Sequence, residues 1–132
     1  MQVIGVDHVT IRVQPAEVEA LRAFYEGVLG LRTGARPLKF PGAWLYAGEQ
    51  ASVHVAGNLG KGEAPAPGGA FDHVAFRTRG LEDAKSRLDA AGIAWREVWR
   101  PEMGILQLVL HDPAGMKVEL AFDPAEHRGS CA

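Results

Sequence analysis

Phe71-Asp72-His73-Val74-Ala75-Phe76-Arg77 restates Val6-Asp7-His8-Val9-Thr10-Ile11-Arg12. Both stretches alternate apolar and polar side chains, the pattern of a strand with two unlike faces. A second pair keeps the same interval: His73 follows His8 by 65 residues, and Glu119 follows His54 by 65. Each half of the chain therefore offers one candidate metal ligand near its start and one near its end. Two copies of one unit can close around a single shared site.

Working outward, the elements recur in the same order. In the first half a strand over Val3–Val13 points Val9, Ile11 and Val13 one way and His8, Thr10 and Arg12 the other. A helix follows from Pro15 to about Leu29, with Val18, Leu21, Tyr25 and Val28 on its apolar face and Gly30 as its stop. Three short strands come next, at about Leu31–Ala35, Ala43–Ala47 and Ala51–Val55. The second half repeats this with a strand at Ala70–Thr78 and a helix at Leu81–Ala91, whose Leu81, Ala84, Leu88 and Ala91 face inward. Its remaining strands are Trp95–Trp99, Ile105–Leu110 and Lys117–Phe122, the last two joined by a turn at His111-Asp112-Pro113-Ala114-Gly115. The fold expected is α+β: two tandem βαβββ modules, about 3–56 and 70–122, forming a curved mixed sheet with helices outside. A Gly- and Pro-rich linker at 57–69 and a frayed tail at 123–132 complete one domain spanning 1–132.

Composition narrows the function classes. The chain has 132 residues, 14 basic against 16 acidic, and a formal charge of −2, which supplies no basic footprint for nucleic acid or a membrane surface. No apolar run reaches a membrane span, and the first residues lack the pattern of a signal peptide. The single cysteine, Cys131, excludes an internal disulfide and fits a reducing, cytoplasmic setting.

His8, His54, His73 and Glu119 all fall on the polar faces of their strands, so a curved sheet would converge them inside its hollow. Imidazole and carboxylate suit a divalent ion such as Zn, Ni, Co, Mn or Fe(II), and two His with one carboxylate also describe an oxygen-activating iron site. A lone strand histidine is more often a hydrogen-bonded core or surface residue. Glu119 is the harder one to dismiss, because an isolated carboxylate between Val118 and Leu120 would be costly to ionise, and a cation offsets that cost.

These stretches resemble the vicinal-oxygen-chelate superfamily, which includes glyoxalase I, extradiol dioxygenases, fosfomycin-resistance transferases and bleomycin-resistance proteins. The resemblance covers about residues 3–122 and rests on "DHVTIRV" with "ALRAFYEGVLGLR", on "DHVAFR" and on "HDPAGMKVEL". It implies a metal held by His8, His73 and Glu119, with His54 as a fourth ligand or a close partner of the ligands. Typical glyoxalase I enzymes carry glutamate where this chain has His54, which leaves Glu119 as the proton shuttle. The reading closest to the resemblance is a glyoxalase-I-like lyase or isomerase that chelates neighbouring oxygens of a small substrate and stabilises an enediolate. The alternatives are Fe(II) ring-cleaving dioxygenase and a non-catalytic drug-binding protein. Arg12, Arg77 and Lys117 share the ligand faces and suit an anionic substrate; Thr10, Trp44, Tyr46 and Gln107 would line the cavity. The resemblance also implies a homodimer.

Overall fold

Backbone pairing follows the alternation read above, and it closes two separate four-stranded sheets. A computed structural model describes residues 1–2, 5–65 and 71–126, in two compact units, Met1–Pro67 and Gly68–Ala132. The first unit contains β1 (Val9–Arg12), β2 (Arg32–Gly34), β3 (Gly42–Ala47) and β4 (Gln50–Ala56) in the order β1-β4-β3-β2. The second contains β5 (His73–Arg77), β6 (Arg96–Arg100), β7 (Ile105–His111) and β8 (Lys117–Phe122) in the order β5-β8-β7-β6. In each, the first strand pairs parallel with the fourth and the other pairs are antiparallel. The matched topologies make each unit one βαβββ module.

In the first unit the helical run has three parts. A 3₁₀ turn (Pro15–Glu17) leads into α1 (Val18–Arg22) and then a π turn (Ala23–Val28). Leu29 N–H reaches back five residues to the Phe24 carbonyl at 3.1 Å. A π turn holds more residues per revolution than an α turn, so Phe24 and Tyr25 are both buried although they are adjacent. Three-and-four spacing finds Leu21 and Tyr25 but misses Phe24. Together with Ile11, Val13, Leu45, Val53 and Val55, these residues form the unit's core.

The first strand is shorter than the pattern suggests. Expected over Val3–Val13, it begins at Val9, leaving His8 just outside the ladder; Val3 and Ile4 lie outside the described residues. Gln50 explains the late start, because its side-chain amide donates to the Asp7 carbonyl at 2.8 Å and takes an acceptor that a ladder would use.

The stretch expected as a flexible linker is partly fastened. Leu59 is buried and its N–H donates to the Val13 carbonyl, while Gln14 Nε2 donates to the carbonyls of Gly60 and Glu63. Residues 66–70 are outside the description. Composition alone shows turn-formers here and cannot show these tertiary bonds.

In the second unit α2 (Leu81–Ala90) buries Leu81 and Leu88, but Ala84 is only half-buried and Ala91, expected inward, is exposed. Lys85 reaches Glu97 of β6 at 3.1 Å, and Trp95 Nε1 donates to Asp89 at 2.8 Å. Glu97 pairs with Leu108, so α2 covers the face that carries Leu106, Leu108, Leu110, Val118, Leu120 and Phe122. The opposite face, free of the helix, holds His73, Gln107, Lys117 and Glu119.

The tail also has a task. Glu126 Oε1 accepts from Gly80 N–H at 2.9 Å and Leu81 N–H at 3.0 Å, so a carboxylate stands at the start of α2. Its charge complements the positive end of the helix, where Gly80 has φ +89° and no capping side chain. Replacing Glu126 by alanine is expected to lower stability by about 1 kcal/mol in urea unfolding; an unchanged midpoint would contradict this cap. Cys131 and the rest of 127–132 lie outside the described residues.

Candidate metal half-sites

Each module presents its first histidine in the same way. His8 Nδ1 lies 2.8 Å from Asp7 Oδ2, and His73 Nδ1 lies 2.9 Å from Asp72 Oδ2. A carboxylate on Nδ1 keeps the proton there and leaves the Nε2 lone pair for a cation, as outer partners of metal-binding histidines do. The two aspartates are themselves held: Gln50 Nε2 meets Asp7 Oδ1 at 3.4 Å, and Lys117 Nζ meets Asp72 Oδ2 at 3.2 Å. The hydrogen bond from His8, then that from Gln50, holds the Asp7 carboxyl below its ordinary range. For Asp72 the bond from His73 comes first and that from Lys117 second. The signal for both aspartates was in the repeat itself, since Asp precedes His in each copy.

Alternation puts Glu119 on the helix-free face of β8, beside Ala75 of β5 and Val109 of β7. There it is buried, and His73 Nε2 lies 3.5 Å from its Oε1. Gln107 Nε2 donates to the same oxygen at 2.8 Å. Two ligands each about 2.1 Å from one tetrahedral ion stand about 3.4 Å apart. The His73–Glu119 pair has that spacing and a fitting donor set. An open cleft of about 280 Å³ is lined by His73, Arg100, Glu102, Met103, Gln107 and Glu119. Sequence reasoning found three of these six; Arg100, Glu102 and Met103 come from the end of β6 and the turn after it, whose counterpart between β2 and β3 is a loop of different length, so the repeat does not align them.

The first module gathers aromatic rings instead. His54 pairs with Thr10 and with Trp44 in the ladders, and these three side chains share a face. Its ring stacks on His8 with centroids 3.8 Å apart and planes 11° from parallel, and on Trp44 at 4.1 Å and 12°. Such ring pairs contribute about 0.5–1.5 kcal/mol beyond the area they cover. His54 Nε2 also lies 3.0 Å from the Ala51 carbonyl, to which an Nε2–H donates, leaving Nδ1 as the acceptor.

Burial, and next the neighbouring His8, hold the His54 imidazole below its ordinary pKa, so the neutral ring is favoured. The stability gained from that neutral ring is complete above the ordinary histidine value and is lost as pH falls through the lowered one. The His54 ring protons are expected to titrate by NMR below about 6.5, with the midpoint rising towards that value in Trp44→Ala. A midpoint at or above the ordinary value in the parent protein would refute this environment.

The remaining sequence candidates divide. Arg12 donates to Asn58 Oδ1 at 3.0 Å and stands 3.9 Å from Glu63, so it fastens the start of the connector. Lys117 holds Asp72, and Gln107 holds Glu119. Tyr46 donates its hydroxyl to the Ala35 carbonyl at 2.5 Å and lies under Arg32; Gly34 is required beside it, because a Cβ there would come within 2.8 Å of the ring. Thr10 and Arg77 are exposed on the ligand faces of their units. Among the described residues, no group of three or more His, Cys, Asp and Glu is placed to hold a metal ion by itself.

The family model for the glyoxalase/bleomycin resistance protein/dioxygenase superfamily matches residues 5–120. The chain belongs to that superfamily. Its fold is shared with superfamily members of known structure at low identity. A glyoxalase/bleomycin resistance protein/dioxygenase domain from a Frankia species is 18% identical, with TM-score 0.73 over 99% of this chain and 100% of that one. A lactoylglutathione lyase from Agrobacterium tumefaciens is 19% identical, with TM-score 0.64 over 89% and 92%. A fosfomycin resistance protein from Listeria monocytogenes is 17% identical, with TM-score 0.66 over 96% and 99%. No curated protein matches this superfamily member. Among its described residues no helix is long and apolar enough to cross a membrane.

Proposed function

We propose that this superfamily member is a metal-dependent lyase or isomerase of the glyoxalase I kind, acting on a small substrate with two neighbouring oxygens. In this reading His8, His73 and Glu119 hold one divalent ion, Zn, Ni, Co, Mn or Fe(II), the modules meeting within one chain or across a homodimer in the cytoplasm. The observation that carries it is the His73–Glu119 pair, with Nε2 freed by Asp72 and turned to a buried carboxylate oxygen at 3.5 Å. The bound ion supplies Lewis-acid stabilisation for negative charge developing on the substrate oxygens.

The chain's own residues do the rest. Gln107 and His73 both meet Oε1 of Glu119, so Oε2 takes the carbon-bound proton and returns it to the neighbouring carbon. Gln107 fixes the carboxylate's plane during that transfer. Arg100, whose Nε lies 3.5 Å from Gln107 Oε1, stands at the cleft to meet an anionic part of the substrate. Arg77 and Lys117 lie on the same face of their sheet, outside the cleft lining, and would add positive charge there. Thr10 and Trp44 line the first module's face.

The test is protein purified without added metal, then loaded with Ni(II), Zn(II) or Co(II) and given a hemithioacetal. Loss of the hemithioacetal signal at a rate proportional to bound metal is expected. Oxygen uptake on catechols with Fe(II), and no hemithioacetal turnover, would replace this reading with ring cleavage. Binding of ligands unaffected by metal or by His73→Ala would replace it with a non-catalytic binding protein.

A further inference from the structure

We infer that His54 is a positioning residue: clamped by Trp44, it lies flat against His8 and sets the plane of that imidazole toward the cation. The inference rests on the metal-centre reading above and assigns His54 a role other than ligation.

The stacking geometry carries it. An imidazole lone pair lies in the plane of its ring. The His8 and His54 planes are within 11° of parallel and their centroids 3.8 Å apart. A cation in the plane of His8 therefore lies well off the plane of His54, where that ring has no lone pair to offer. The Ala51 carbonyl takes up His54 Nε2, and Trp44 closes the other face at 4.1 Å. Both contacts hold His54 in place, and neither points it at a ligand.

His8 has need of such a support. It precedes β1, outside the parallel ladder, and its side chain is 37% exposed. Asp7 restrains rotation within the ring plane through Nδ1, but one hydrogen bond leaves the tilt of that plane free. A stacked neighbour removes the tilt. His73 is supported differently, opening β5 opposite Lys117 with Glu119 at its Nε2. At the place where the second module has Glu119, the first has His54. The repeat thus supports one histidine with a carboxylate and the other with a ring.

Phenylalanine keeps the flat ring and removes both nitrogens, so it separates the roles. Metal-free parent protein, His54→Phe, His54→Ala and Trp44→Ala would be titrated with Ni(II) by calorimetry, and the His8 ring protons recorded by NMR before metal is added. His54→Phe is expected to bind within about threefold of the parent and to keep ring-current-shifted His8 protons. His54→Ala and Trp44→Ala are expected to bind about 10–100-fold more weakly, the range for losing an outer partner of a ligand, and to lose those shifts. Equal loss in His54→Phe and His54→Ala, or no loss in His54→Ala, would overturn the inference and leave the metal centre standing. Failure of the parent to bind Ni(II) overturns the metal centre and the inference with it, and is seen before any substitution is made.

Discussion

Glu119→Gln is expected to lower turnover by about 10³-fold or more while leaving the fold intact. The expectation has two parts. Removal of a positioned proton acceptor costs about 10²–10⁴-fold, and replacing an anionic metal ligand by an amide weakens the hold on the ion. The substitution keeps size and shape, and the amide oxygen of the new side chain can still accept from Gln107 Nε2, which now donates at 2.8 Å. Thermal unfolding should therefore shift little. The checks are kcat and kcat/KM on a hemithioacetal beside a Ni(II) titration. A variant with parental kcat would remove Glu119 from the chemistry.

The second large effect concerns the histidines. His8→Ala and His73→Ala are each expected to weaken metal binding by more than about 100-fold, beyond the cost of losing an outer partner. Asp72→Asn should fall between the parent and His73→Ala, because Asp72 orients a ligand without supplying one. The two alanine variants lie in different compact units and 65 residues apart. Separate sites would let one variant keep what the other loses. Calorimetric titration of both, at one pH, decides it.

Much of this was open to reading in the residues. Repetition of Asp-His-Val, and the return of helix and three strands in each half, give both modules and the faces on which His73, Gln107 and Glu119 lie. Strand alternation survives because burying one face forces it. What went unread depends on contacts distant in sequence. Gln50 ends the first ladder early, Glu126 caps α2, and Leu59 ties the connector to Val13; each is a polar or apolar residue whose partner has no fixed spacing. The π turn hides Phe24 from three-and-four counting. Asp7 and Asp72 are a different case, since the repeat displayed them and only their hydrogen bonds to Nδ1 reveal their part. The ring stack on His54 is likewise invisible from spacing, because Trp44 reaches it through antiparallel register and His8 from beyond the end of a strand.

Val6 and Phe71, which begin the two repeated stretches, are 88% and 86% exposed. Each stands one residue before the Asp-His pair of its module, so the repeat extends to this exposed position.

The most direct measurement is a crystal structure of the Ni(II)-loaded protein with anomalous scattering at the nickel edge. The account predicts one nickel for each pair of modules, coordinated by Nε2 of His8, Nε2 of His73 and a carboxylate oxygen of Glu119, with His54 stacked on His8. Nickel bound to His73 and Glu119 with no residue of a first module, in any copy, would contradict it.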